Sequence, residues 1–205
     1  SLGHAQAATL PIAALTAWFA LVETARFVPG QTVVVQGTGG VSLFALQFAK
    51  AFGARAIVLS GSDEKLARAK ALGATAGINY RSRPDWDVAV LELTAGRGAD
   101  HVLEIAGGGN LRRSVNAVAP GGHISQIGLL EAFEATYPLV PFMVKRISLQ
   151  GISVGHRRAF EAMNAAIEES AIEPVIDEVY PFAEAARAFE HLGRGPFGKV
   201  VVALR

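Results

Sequence analysis

Residues 32–53 read TVVVQGTGGVSLFALQFAKAFG and decide the fold. The run from Thr32 to Gln36 is short and rich in β-branched residues, which is typical of a parallel strand buried on both faces. The turn Gly37-Thr38-Gly39-Gly40 ends that run, and from Val41 apolar residues recur at helical spacing. The stretch therefore predicts a strand, a tight turn and a helix. Such a unit can bind a pyrophosphate, because glycines allow close approach to the backbone and the helix start offers free N–H groups.

Composition sets limits on the rest of the chain. The 205 residues carry a net charge of +1 with both signs interspersed, which gives no electrostatic footprint for nucleic acid. No unbroken apolar run reaches about 18 residues, so we expect no membrane span. The opening shows no basic segment typical of a signal peptide. There is no cysteine, which excludes disulfides, thiolate zinc ligands and cysteine nucleophiles within this chain and is compatible with the cytoplasmic location that we expect.

Strand and helix patterns alternate along the chain, which predicts an α/β fold with a doubly wound parallel sheet in one domain, residues 1–205. We predict strands at residues 32–36, 54–59, 77–80, 100–105, 123–127, 148–154 and 198–203. We predict helices at residues 7–26, 41–52, 64–72, 85–95, 110–118, 159–170 and 183–191. Residues 131–141 carry two prolines and are predicted to be less regular.

The end of the second predicted strand bears on the choice of cofactor. An acid that binds a ribose is expected there, about 20 residues after the glycines, but the sequence has Ser60-Gly61-Ser62. Without that acid a 2′-phosphate meets no repulsion, and Lys65 can contact it, which favours NADP(H) over NAD(H). Two plainer interpretations stay open: the glycine turn only connects strand to helix, and Lys65 is a solvated helix lysine.

Several stretches resemble the medium-chain dehydrogenase/reductase superfamily, in particular the cofactor-binding domain of its zinc-type alcohol dehydrogenase and quinone oxidoreductase-like branches. They are GTGGVS at residues 37–42, SDEKLARAKALGA at 62–74, INY at 78–80, APGG at 119–122 and the closing GKVVVAL. The resemblance implies a six-stranded Rossmann sheet in the order 3-2-1-4-5-6 with helices on both faces. It also implies an N-terminal GroES-like domain outside this sequence, so we expect the chain to be the C-terminal part of a two-domain oxidoreductase. The sixth strand, Ser148 to Val154, is expected to form a homodimer.

The resemblance also assigns binding residues by position. It places Gly37, Thr38, Gly39, Gly40 and Val41 along the pyrophosphate, and Ser60, Gly61, Lys65 and Tyr80 around the adenosine ribose and its 2′-phosphate. It places Ile105 and Ala106 beside the adenosine, and Ile127, Gly128 and Leu129 beside the nicotinamide. Thr16 matches a threonine near the nicotinamide amide, although its hydroxyl could equally bond to the preceding helical turn.

Neither a catalytic residue nor a metal ligand can be assigned. In zinc-dependent relatives a cysteine ligand stands near the position of Ile12, which cannot bind metal, and the histidines (His4, His101, His123, His156, His191) show no ligand spacing. We therefore expect no zinc in this chain. His101 and His123 are interpreted as satisfied structural histidines, and Glu92, Asp100 and Glu104 as strand-end or surface carboxylates.

The sequence thus indicates an NADP(H)-binding domain of an oxidoreductase. Hydride would pass between the nicotinamide and an alcohol or carbonyl, an enone or a quinone, bound towards the missing domain. The chain alone is expected to bind cofactor weakly and to turn over little. The alternative is a non-catalytic module for dinucleotide sensing or protein interaction, because no acid–base pair or metal cluster is recognisable near the glycine turn.

Overall fold

The central feature of the computed structural model, which describes residues 2–204, is a six-stranded sheet. Its strands are β1 Thr32–Gln36, β2 Arg55–Ser60, β3 Ala76–Asn79, β4 Ala99–Glu104, β5 Val118–Gln126 and β6 Ser148–Gly151. They lie in the order β3-β2-β1-β4-β5-β6, and every neighbouring pair is parallel. The predicted α/β class, doubly wound Rossmann sheet and strand order are confirmed.

Helices cover both faces of this sheet. The α-helices of the described residues are α1 His4–Ala7, α2 Leu15–Trp18, α3 Gly40–Ala51, α4 Asp63–Leu72, α5 Trp86–Leu93, α6 Asn110–Ala117, α7 Leu139–Val144, α8 Arg157–Glu169 and α9 Ala185–Gly193, of which α3 and α8 pack on one face of the sheet and α5 and α6 on the other. Alternate residues of β1 face opposite sides, as in any strand. Val33 and Val35 belong to one core with α3 and α8, whereas Val34 belongs to a second core with α5 and α6. The β-branched run of β1 is therefore the centre of both cores.

The opening helical run, His4–Thr24, is long and apolar enough to cross a membrane by length and composition alone. Within it, α1 and α2 alternate with π-helical turns at Leu10–Ala14 and Phe19–Thr24. In the fold, however, 56% of its most apolar window is buried. The Trp18 ring packs edge-on against Phe48, with 5.4 Å between ring centroids. These apolar residues therefore belong to the core of the domain.

A small second sheet was only half predicted. The expected terminal strand exists as β8, Lys199–Ala203, but its partner β7, Ile176–Pro181, was not predicted. β7 reads IDEVYP, with neither an unbroken β-branched run nor a strict alternation, and none of its residues is fully buried, so periodicity gives no signal for it. Its pairing depends on a strand beyond α9. β5 also begins at Val118 rather than at residue 123. Pro120 and Gly121 look like turn residues in the sequence, yet this part of the chain belongs to the strand.

The histidines of the sheet are less well satisfied than expected. His101 is buried and its Nε2 lies 2.7 Å from Gln31 Oε1, but its Nδ1 has no hydrogen-bond partner, and nor has His123 Nε2. Burial lowers the pKa of His101 to about 4, partly opposed by the charge of Asp100, and burial also lowers the pKa of His123. Both imidazoles are therefore neutral in the fold at neutral pH.

This burial predicts a loss of stability in mild acid. An unfolded histidine binds a proton below a pH of about 6.5, whereas folded His101 resists until about 4, so the unfolded state gains protons across that window. We expect His101 to contribute a fall of about 3 kcal/mol in the free energy of unfolding between these pH values. Urea denaturation at several pH values should show a shallower fall for His101→Gln. The exposed-site control His4→Gln should keep the wild-type slope; equal slopes for all three proteins would contradict the assignment.

Candidate functional site

The candidate site lies at the carboxyl ends of β1 and β4, which are neighbours in the sheet. The helix after β1, α3, packs on one face, and the helix after β4, α6, packs on the other. Because the two helices leave in opposite directions, a crevice opens between the strand ends. In open α/β sheets this is the position where ligands bind.

The glycine turn is anchored at both ends. Gly37 has a φ of +74°, a left-handed conformation that suits glycine, and its N–H donates to Leu59 O at 2.7 Å. The Ser42 hydroxyl donates to Gln36 O at 2.6 Å, which ties the first turn of α3 to the end of β1. No side chain caps the start of α3. The helix therefore presents backbone N–H groups and its positive dipole end towards the crevice.

A cleft of about 750 Å³ runs from this turn along the end of β2. Nine of the residues assigned from the sequence line it: Gly37, Thr38, Gly39, Gly40, Ser60, Gly61, Lys65, Tyr80 and Ile105. Residues up to 68 positions apart in the chain are thus brought together in one cavity. Its size suits a ligand much larger than a single phosphate.

At the end of β2, Gly61 lies directly against the side chains of Tyr80 and Arg81. A Cβ on Gly61 would lie 2.9 Å from the Tyr80 hydroxyl and 2.8 Å from Arg81 Nε. Ser62 caps α4 by accepting a hydrogen bond from Lys65 N at 3.3 Å. The Asp63 carboxylate accepts a hydrogen bond from Asn79 Nδ2 at 2.8 Å and does not line the cleft. Asp63, the carboxylate nearest to Ser60 in the sequence, is therefore hydrogen-bonded to β3.

Sequence reasoning missed three of the cations in this cleft. Arg81, Arg194 and Lys199 line it together with Lys65, and among the described residues no carboxylate does. Arg81 directly follows Tyr80, which was assigned to the site, so its place in the cleft could have been predicted from the sequence. Arg194 and Lys199 lie more than 100 residues away, beside a second glycine-rich stretch that looks like a simple turn. The cleft is strongly basic, which favours an anionic ligand.

Arg194 and Lys199 belong to residues 194–199, which we call the C-terminal strap. The Gly198 N–H donates to Thr38 O at 2.9 Å, so the strap lies directly against the glycine turn. The Lys65 ammonium donates to Gly195 O. Arg68 of α4 places its guanidinium 4.1 Å from the centroid of the Phe197 ring, a cation–π contact. The strap is therefore held on two sides and forms one wall of the cleft.

Four further assigned residues line two other clefts. Ala106 lines an adjoining cleft of about 450 Å³ together with Trp86 and Asn110. Ile127, Gly128 and Leu129 line another cleft of about 450 Å³ at the ends of β5 and β6. Gly128 packs tightly against β4, because a Cβ there would lie 2.2 Å from Ile105 O. These residues continue the crevice on either side of the basic cleft.

Thr16 and Val41 line none of these three clefts. Thr16 is buried, and its hydroxyl donates to Ile12 O at 2.6 Å, the helix bond that was the alternative interpretation. Val41 is half-buried and packs against the core. Their contact with a cofactor stays a prediction.

The acidic and metal-binding chemistry of the site is limited in the part of the chain that the structure describes. No group of three His, Asp or Glu side chains in residues 2–204 is placed to hold a metal ion. Glu104 is a strand-end carboxylate as expected, but it has no exposed surface and accepts hydrogen bonds from five groups, so a surface position is wrong for it.

Comparisons with known proteins agree with this geometry. The sequence profile described as "Zinc-binding dehydrogenase" matches residues 40–169. The chain belongs to this family. It is 43% identical over 210 residues to a zinc-type alcohol dehydrogenase-like protein of Schizosaccharomyces pombe, covering 98% of this chain and 60% of that protein. The resemblance to the medium-chain dehydrogenase/reductase superfamily, and to its cofactor-binding domain, is confirmed.

Two solved structures give the same fold. A structure from Sinorhizobium meliloti 1021, itself provisionally described as an alcohol dehydrogenase, is 57% identical with a TM-score of 0.95; the match covers 99% of this chain and 59% of that one. An NAD-dependent alcohol dehydrogenase is 36% identical with a TM-score of 0.86, over 100% of this chain and 60% of that one. The chain thus spans about 60% of the relatives that it matches. The zinc in the family's description has no fitting donor set among residues 2–204.

The strap supplies a test of the cleft geometry. Gly198 has a φ of +95°, and a Cβ there would lie 2.4 Å from Val175 O. We expect Gly198→Ala to lower the free energy of unfolding by about 2 kcal/mol, because a left-handed alanine and a backbone clash are combined. Thermal unfolding measures the change. Gly193→Ala is the matched control, since nothing lies within 4 Å of its Cβ; a control as unstable as Gly198→Ala would contradict the expectation.

Proposed function

We propose that this chain is the NADP(H)-binding domain of an oxidoreductase that moves hydride between a nicotinamide and an alcohol or carbonyl, an enone or a quinone. The observation that carries the proposal is the meeting of the glycine turn and four cations in one cleft. The turn leaves backbone open to a diphosphate, because nothing lies within 4 Å of a Cβ built on Gly39. Family membership supports the same reaction class.

The residues of the chain have separate tasks in this function. When bound, the nicotinamide supplies the hydride chemistry. The N–H groups at the start of α3 and the glycine turn bind the diphosphate. Ile105 and Leu130 present apolar side chains to the cleft. No proton transfer is assigned to a side chain, and no step is assigned to a metal.

The choice of NADP(H) rests on charge and on the end of β2. A 2′-phosphate carries two further negative charges at most, and Lys65, Arg81 and Arg194 can each donate to it. Ser60 is buried beside them, in place of an acid that would repel the phosphate. The related NAD-dependent alcohol dehydrogenase argues for the other cofactor, so the preference needs a direct measurement.

The first measurement compares the two cofactors. We expect NADPH to bind at least about tenfold more tightly than NADH. We expect Arg194→Ala to weaken the binding of NADPH by about ten- to a hundredfold, because one charge-assisted hydrogen bond contributes about that much. The affinity of Arg194→Ala for NADH should differ little from that of the wild type. Isothermal titration calorimetry measures both affinities, and Arg158→Ala, an exposed cation on α8, controls for net charge. Equal weakening of NADPH and NADH by Arg194→Ala would contradict the preference.

The activity of the whole protein is a further part of the proposal. Because the chain covers about 60% of its relatives, we propose that residues outside it contribute to the substrate site and that the chain alone binds cofactor with little turnover. Robust reduction of a ketone, enone or quinone by these 205 residues would refute that. A dinucleotide sensor, the alternative function, would bind NADPH and show no oxidation or reduction even as the complete protein.

We also propose that β6 forms a homodimer. It is the last strand of the described sheet and is largely exposed. Shortly before it in the chain, α7 exposes the apolar side chains of Val140, Met143 and Val144. A second copy of the chain would cover both the strand edge and these apolar side chains. An exposed strand edge and an exposed apolar patch both promote aggregation. The cytoplasmic location stays a prediction.

The dimer can be tested by placing a charge on α7. Val144 is 76% exposed, so Val144→Asp should not disturb folding, yet a buried carboxylate at a symmetric interface would oppose its own copy. We expect the wild type to sediment as a dimer and Val144→Asp as a monomer. Val28→Asp, at a site that is 51% exposed, should remain dimeric. A monomeric wild type at micromolar concentration would exclude the proposed dimer.

A further inference from the structure

Glu104 is a buried carboxylate with an unusual number of donors. Its Oε1 accepts from the backbone N–H groups of Ala106 and Gly107 at 2.9 and 3.0 Å. Its Oε2 accepts from Gln36 Nε2 at 3.0 Å and from the Ser114 hydroxyl, and both oxygens accept from Asn110 Nδ2 at 3.0 Å. Five donors and no acceptor surround the side chain. This arrangement suits an ionised carboxylate and no other side chain.

The groups that Glu104 holds also form the cleft next to the basic one. Gln36, Ala106 and Asn110 all line this cavity of about 450 Å³. Trp86 lines it as well, and its indole N–H donates to Asn110 Oδ1 at 3.2 Å. Glu104 therefore reaches Trp86 through Asn110, although the carboxylate itself does not face the cavity. Each amide around it is engaged on both its oxygen and its nitrogen.

The walls of this cavity suit a flat aromatic ring. Leu59, Pro84, Trp86 and Ile105 supply apolar surface, and the amides of Gln36 and Asn110 are already occupied by their neighbours. A purine can stack on such a surface. The cavity shares Gly37, Tyr80, Ile105 and Leu130 with the basic cleft, so one ligand can occupy both. The adenine end of the dinucleotide is the part that fits here.

We propose that Glu104 is the positioning residue of this adenine cleft. Its carboxylate holds the turn after β4, Asn110 and Trp86 in the arrangement that receives the ring, a role that rests on the proposed dinucleotide function. The sheet does not need this side chain, because β4 pairs with β1 and β5 through its backbone. An amide in its place would turn an NH₂ group towards at least one of the five donors and leave that donor unpaired.

Trp86 allows this role to be observed directly. The chain has two tryptophans, and Trp18 is buried with its indole N–H unpartnered among the described residues, so Trp18→Phe leaves Trp86 as the only tryptophan, whose emission can be excited apart from that of the tyrosines. In this parent, Glu104→Gln should shift the Trp86 emission before any ligand is added. Glu104→Gln should also weaken the binding of 2′,5′-ADP and the binding of NADPH by the same factor, about tenfold or more. Equal factors are expected because the variant acts only on the adenine half.

Asp100→Asn is the matched control, since it makes the same change at the other end of β4, where Asp100 accepts from Thr32 N at 2.8 Å. It should leave the emission and both affinities at parent values. If Glu104→Gln does not fold, Ser114→Ala removes one of the five donors and should show the same pattern at smaller size. Unchanged emission and 2′,5′-ADP affinity in the folded variants, or equal weakening by Asp100→Asn, would overturn the role of Glu104. A parent that binds neither NADPH nor 2′,5′-ADP would instead overturn the proposed function, while the emission shift still tests the network.

Discussion

A fully buried carboxylate, Glu104, lies where β1 and β4 end side by side. Its charge is compensated by donors from β1, from the turn after β4 and from α6, so three separate elements meet at one point. The cost of removing an ion from water is high unless every lone pair is engaged, which is the case here. The crevice above it exists because α3 and α6 leave to opposite faces. Glu104 therefore gives a defined shape to the floor of a crevice that topology alone would leave open.

The opposite wall depends on long-range contacts. The C-terminal strap reaches the glycine turn through the Gly198 N–H and reaches α4 through Phe197 and Arg68. Arg68 of α4 also forms a salt bridge with Asp177 of β7 at 3.2 Å, so α4 is linked to the small second sheet. The two cations that the strap contributes lie beside Lys65 only because of these contacts. The basic character of the cleft is thus a property of the assembled fold.

The prediction of the main sheet succeeded because its signals are local. A buried parallel strand is a short β-branched run, and glycine or proline marks its ends, so β1, β2 and β4 are recognised within two residues. β7 was not predicted because its sequence, IDEVYP, mixes two acidic residues and a proline and contains no such run. β5 was predicted too short because Pro120 and Gly121 carry the composition of a turn. The glycines and Ser60 could be placed at strand ends for the same local reason, and in the structure they line the basic cleft.

By itself, the sequence of this protein determined the fold class, the strand order implied by its family resemblance, and the edge of the sheet at which the candidate site lies. Those properties follow from hydrophobic periodicity and from glycines that stand at strand ends. Only the tertiary structure decided that Arg194 and Lys199 join Lys65, and that Glu104 is buried beneath the crevice. The charge and the burial of a site depend on residues that are distant in the sequence and meet only in the fold. Periodicity along the chain therefore cannot predict them.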